Sequence, residues 1–223
     1  MKRAGVGLAV CALLGPAVAR LAQAVPRPTA KTTIVFVDLQ PKSNGTLAGD
    51  LHSSAEGNNL AEVPRGVQML GGVKFKIGDG LIQLANNNMP KMPDKVSGIK
   101  VDRAFASLHI LHATGFGNMT PADTVIGTYT INYQDKTTAT IDIVYGKDVR
   151  DWWYNDSSPG VTRGRVVWKG NNAHAKKLGA KIRLYLMTWK NPHPGKRVMS
   201  IDYASTKSTH AAPFCVAMTA EGE

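Results

Sequence analysis

From Thr33 onward the apolar residues recur with a period of two, in short runs broken by Gly, Pro, Asn and Asp. Consecutive side chains of a strand point to opposite faces, so this pattern demands strands with one apolar side and leaves little room for helices. Strands are predicted over 33–39, 73–77, 81–84, 96–101, 105–112, 125–133, 138–144, 165–169, 181–189, 198–203 and 214–218. The plainest pairing is a hairpin. Val125, Gly127, Tyr129, Ile131 and Tyr133 share one face of its first strand, and Ala139, Ile141, Ile143 and Tyr145 one face of its second. Each strand then has one apolar and one mostly polar side, as in a sandwich whose outer faces meet water. Only His174 to Leu178 looks helical, and weakly. Strands do not alternate with helices, which argues against a parallel nucleotide-binding sheet. The 22 glycines, 12 prolines and aromatic share of 7% fit many turns between short elements, and exclude a coiled coil or a collagen-like chain. The expected fold is all-β, a single jelly-roll β-sandwich of about ten short, mostly antiparallel strands over 32–223.

Residues 1–24 read as a signal peptide. Lys2 and Arg3 give a positive start, Ala4 to Ala19 is apolar, and Ala22 and Ala24 put small residues where a signal peptidase cuts. The apolar run contains Gly15 and Pro16, is closed by Arg20 and falls short of the ~20 residues of a membrane span. The protein is therefore expected to be secreted or periplasmic, with a short proline-bearing spacer over 25–31 and no transmembrane segment in the mature chain. Cys11 leaves with the leader, so Cys215 has no partner for an internal disulfide. Within PFCVAMT it reads as a small buried hydrophobe of the last strand.

Several phrases carry a resemblance: IVFVDL from Ile34, NLAEVPRG from Asn59, VSGIKV from Val96, LHILHA from Leu108, DVRDWW from Asp148, WKNP from Trp189 and SIDY from Ser200. In this order they resemble an uncharacterised exported bacterial β-sandwich module, similar to galactose-binding-like, NPCBM-type carbohydrate-binding domains. The resemblance implies a jelly roll and glycan binding, and transfers no ligand residue.

Charge gives an independent lead. The chain has a formal net charge of +11, and from Ser157 through Ile201 it has no acidic residue. Alternation puts Arg163, Arg165, Val167 and Lys169 on one face of their strand, and Lys181, Arg183, Tyr185, Met187 and Trp189 on one face of theirs. If the two strands pair, their basic faces merge, with Tyr185 and Trp189 beside the cations. Such a surface suits a carboxylated or sulfated sugar, whose anions an arginine fork grips. A solvated basic face is the plainer reading. The densest aromatic segment, Trp152, Trp153 and Tyr154, lies between strands, where rim loops display binding residues. Its rings either stack on sugar or plug the open end of the sandwich.

Enzymatic readings find less support. His109 and His112 are three apart, hence on opposite faces of a strand, and do not make a shared metal site. No zinc-protease, nucleophile-elbow or phosphate-loop motif is present. No cofactor is expected; Asp38, Glu62 and Asp202 are the candidates for holding a structural calcium. Two hypotheses from different classes follow. The first is a non-catalytic carbohydrate-binding module for an acidic polysaccharide, using Trp152, Trp153, Tyr154, Arg165, Arg183, Tyr185 and Trp189. The second is a structural or protein-interaction module of the cell envelope. A polysaccharide lyase is a third, weaker reading, and export argues against nucleic acid as the physiological partner.

Overall fold

The computed structural model describes Met1 and residues 33–222, except Ser54 and Pro90. The expected leader (but for Met1) and spacer lie outside the described residues. No described helix is long and apolar enough to cross a membrane. The chain folds into strands β1 (Ile34–Val37), β2 (Gly45–Thr46), β3 (Gly66–Leu70), β4 (Val73–Ile77), β5 (Gly80–Gln83), β6 (Lys95–Arg103), β7 (Ser107–Gly115), β8 (Val125–Tyr133) and β9 (Thr138–Val144). There follow β10 (Trp153–Tyr154), β11 (Arg165–Gly170), the short helix α1 (Ala173–Lys177), β12 (Lys181–Lys190), β13 (Val198–Ser205) and β14 (Ala212–Glu221).

The strands form an antiparallel sandwich of unequal sheets. An eight-stranded sheet runs β10-β12-β7-β14-β5-β2, with β1 added to β14 and β11 to β12, and a four-stranded sheet runs β6-β13-β8-β9. The predicted hairpin is the β8–β9 pair, with Tyr129 opposite Ile141 and Ile131 opposite Ala139. Tyr129 and Tyr203 of the small sheet stack at 4.5 Å, and the Tyr129 hydroxyl lies 3.2 Å from His112 Nδ1 of the large one, so the two inner faces meet in a single core.

Outer faces differ between the sheets. Along β8 buried side chains alternate with half-buried ones, as a water-facing strand requires. Along β7 and nearly all of β14 every residue is buried. The large sheet is covered outside by the β3–β4 hairpin, where the Thr219 hydroxyl donates to Lys74 O at 2.8 Å, and by a segment that buries Leu47, Leu51, Leu60 and Val63. The hairpin turns at Gly71 and Gly72, both at positive φ (59° and 81°), a backbone that side chains with a Cβ resist. Cys215 is buried in this core, and burial pushes its thiol up to about 12, which makes it an inert hydrophobe at neutral pH.

Candidate functional site

The aromatic segment is built into the large sheet as a wedge. Strands β7 and β12 pair from Ser107–Lys190 to His112–Tyr185, and beyond that point residues 151–154 stand between them. Trp152 N donates to Thr114 O at 2.9 Å, Arg183 N donates to Trp152 O at 2.8 Å, and Trp153 lies opposite Ile182. Two aspartates hold the wedge. Asp148, fully buried, accepts the Val144 N–H at 2.8 Å and both Nε and Nη2 of Arg163 at 2.6 Å, closing the base of the long loop that joins β9 to β11. Asp151 accepts Gly117 N at 2.6 Å on one oxygen and Trp153 N at 2.8 Å on the other, tying the turn after β7 to the aromatic segment. Burial lifts the Asp151 carboxyl to about 6, against the opposing pull of these N–H groups and of Arg183.

Beside the wedge lies a pocket of about 370 Å³. Trp152 is only 3% exposed and meets Phe214 edge-on at 5.7 Å, so it plugs the end of the core. Trp153 and Tyr154 are half-buried and line the cavity with Phe116. The Trp153 ring is fixed on two sides. Its Nε1 donates to Asn58 Oδ1 at 3.0 Å, and His174 on α1 lies 5.3 Å away, centroid to centroid. Asn58 Oδ1 also accepts from Asn172 Nδ2, while Asn172 Oδ1 caps α1 through the Ala175 N–H. Asn118, Asn155 and Ser158 add polar groups to the wall.

His52 completes the lining. It adopts a left-handed conformation (φ 55°, ψ 28°), its N–H donates to Gln83 Oε1, and its ring sits between Phe116 and Phe214. Burial lowers its pKa to about 4, so the imidazole is neutral, and its Nε2 has no partner among the described residues. Asn58, Phe116, Asn118 and His174 join it from distant loops and α1. The sequence pattern does not single them out for this site.

The expected merged basic face does not form. Strand β11 does pair with β12, but a register shift between Val166 and Trp168 breaks the alternation. Lys169 lies opposite Arg183, whereas Arg165 lies opposite Leu186 on the other face and donates to Gly71 O at 2.6 Å. Tyr185 is completely buried, and Arg183 is 5% exposed, its Nε donating to Asp151 O at 3.2 Å. Trp189 is half-buried far along β12, opposite Leu108. Of the predicted residues, the structure gathers Trp152, Trp153 and Tyr154 at the pocket and Arg183 and Tyr185 just behind it. Arg165 and Trp189 stand apart.

The two histidines of β7 do face opposite ways. His112, in the core, has its pKa lowered by burial to about 4, and His109, on the outer side, is held between Thr188 Oγ1 (2.9 Å) and Glu221 Oε2 (3.1 Å). The three calcium candidates are engaged separately: Asp38 with Gln40 N, Glu62 with Asn171 N, and Asp202 with Lys95 and Gly98 N. Among the described residues no group of three or more His, Cys, Asp or Glu is placed to hold a metal ion. Comparison with protein-family models, with curated proteins and with solved structures finds no match.

Proposed function

We propose that this domain is a non-catalytic carbohydrate-binding module that takes a sugar into the pocket at Trp153 and Tyr154. The observation that carries the reading is the pocket wall, where the Trp153 indole, held by Asn58 and His174, stands beside Asn118, Asn155 and Ser158. A pyranose has an apolar face rimmed by hydroxyls. It therefore binds well to a fixed ring with amides and hydroxyls around it. The cavity volume, about 370 Å³, lies at the small end of the ~300–1,000 Å³ range of ligand pockets, which suits a short sugar unit.

The chemistry of the wall favours binding over turnover. Glycoside hydrolysis usually employs two carboxylates flanking the scissile bond. Among the described lining residues the carboxylate is Asp151, and backbone N–H groups occupy both its oxygens. The test is a titration of tryptophan fluorescence with a panel of mono- and oligosaccharides. A member of the panel should perturb the emission, and Trp153→Ala should weaken its binding at least tenfold, about 1.4 kcal/mol. A silent panel together with retention of cell-envelope proteins would instead favour the interaction module. Release of unsaturated sugar would favour a lyase.

A further inference from the structure

We infer that the ligand carries an anionic substituent, a carboxylate or sulfate, which docks on Arg183 and Lys169 beside Tyr154. This rests on the carbohydrate reading of the pocket and names the class of sugar. Its basis is a buried cation without a carboxylate partner among the described residues. Several cations of the basic run that reach solvent have carboxylate partners: Lys181 meets Asp156 at 3.1 Å, Lys196 meets Asp135 at 2.6 Å and Arg197 meets Asp102 at 2.7 Å. Arg183, the most buried of them, forms no ion pair among the described residues. A buried guanidinium ordinarily requires a counter-charge, because removal from water is costly and an exposed pair contributes little.

What surrounds Arg183 compensates only in part. Its Cζ lies 4.9 Å from the centre of the Tyr154 ring and 5.3 Å from that of Tyr185, and its one side-chain hydrogen bond among the described residues goes from Nε to the Asp151 carbonyl. Both terminal nitrogens are without a hydrogen bond among the described residues. The cross-strand neighbour is a second cation, Lys169, whose Nζ is 5.4 Å from the same Tyr154 ring and which also has no carboxylate partner there. The Asp151 carboxylate feels the charge of Arg183 but is already committed to backbone N–H groups. Two like charges thus converge on one ring, and that ring is part of the pocket wall. An oxyanion on a sugar stacked at the pocket would relieve their repulsion and accept from the free arms of the arginine fork.

The test is an array of matched oligosaccharides in neutral, uronate and sulfated forms, followed by calorimetric titration of any form that binds at low and high salt. One anionic form should bind at least tenfold more tightly than its neutral counterpart, with the preference shrinking in salt. The exposed Lys169→Gln should reduce that preference about threefold, and Arg183→Met should abolish it. Because Arg183 is buried, its variant counts only if it melts cooperatively; Lys169→Gln decides otherwise. Equal binding of neutral and anionic forms, or a preference untouched by Lys169→Gln, overturns the inference and leaves the pocket reading standing. An array with no binding in any form removes the carbohydrate reading itself.

Discussion

The two ends of β12 have similar residues and different surroundings. One end has Lys181, Arg183 and Tyr185, and the other has Met187, Trp189 and Lys190. At the first, the segment between β9 and β11 inserts the aromatic wedge, so that Trp153 and Tyr154 line a walled pocket with Arg183 behind Tyr154. At the second, a groove runs between β9 and β12, bounded by Ile141, Asp142, Arg163 and Trp189, and Lys190 Nζ simply donates to Ser107 Oγ at 2.9 Å. Residue type on a strand therefore does not make a site here. The pinned loop over one end shapes the pocket beside it.

The strongest way to break the contrast is to release that loop. Asp148→Ala removes the bidentate contact with Arg163 and strands the Val144 N–H in the interior. Because Arg163 is 55% exposed it can return to water, so the cost is set mostly by the buried amide and the freed loop, about 2–3 kcal/mol. Denaturant unfolding should show that loss, and sugar binding should disappear before the fold does. If affinity survives in a destabilised variant, the loop is not what builds the pocket.

Acidity probes the buried titratable groups of the pocket and the core with comparable force. His52 and His112 have pKa values lowered to about 4, so between pH 6.5 and 4 the unfolded chain holds more protons than the folded one, and stability is lost as pH falls through that window. Asp151, raised to about 6, acts in the opposite sense: the folded chain keeps its proton, and stability is gained as pH falls from 6 towards 4. Each shift is worth about 3 kcal/mol, so two histidines against one aspartate leave a net loss of about 3 kcal/mol between pH 7 and pH 4. Urea midpoints measured across that range should fall, and His112→Gln should flatten the decline. A midpoint that rises on acidification would show that the imidazoles are not held neutral by burial.

Much of the fold is legible in the period-two pattern, because alternation is a local property. The predicted runs 73–77, 125–133 and 138–144 coincide with β4, β8 and β9. β3 escapes notice because Gly66-Val-Gln-Met-Leu70 has a single β-branched residue, and β10 because two residues make no pattern. The unbroken apolar run of β14 is the mark of a strand buried on both faces, and it contradicts the expectation of a water-facing side. At the site, the aromatic segment is visible in sequence. The bulge that turns Arg165 away is not, since alternation has no sign for an inserted residue. Nor are His52, Asn58 and His174, which reach the pocket through long-range packing.

The smallest expected effect on binding comes from the far end of β12. Trp189 is half-buried and packs against the core, so Trp189→Ala should cost roughly 2 kcal/mol of stability, less than the 3–5 kcal/mol of a fully buried aromatic. Among the described residues its ring has no hydrogen bond like that of Trp153 to Asn58, and sugar affinity should change by less than about twofold, under 0.5 kcal/mol. Fluorescence titration of Trp189→Ala beside Trp153→Ala measures the two ends against each other in one fold. If the Trp189 variant loses binding while Trp153→Ala retains it, the sugar lies in the β9–β12 groove, and exposure of a ring on a basic strand matters more than enclosure by the pinned loop.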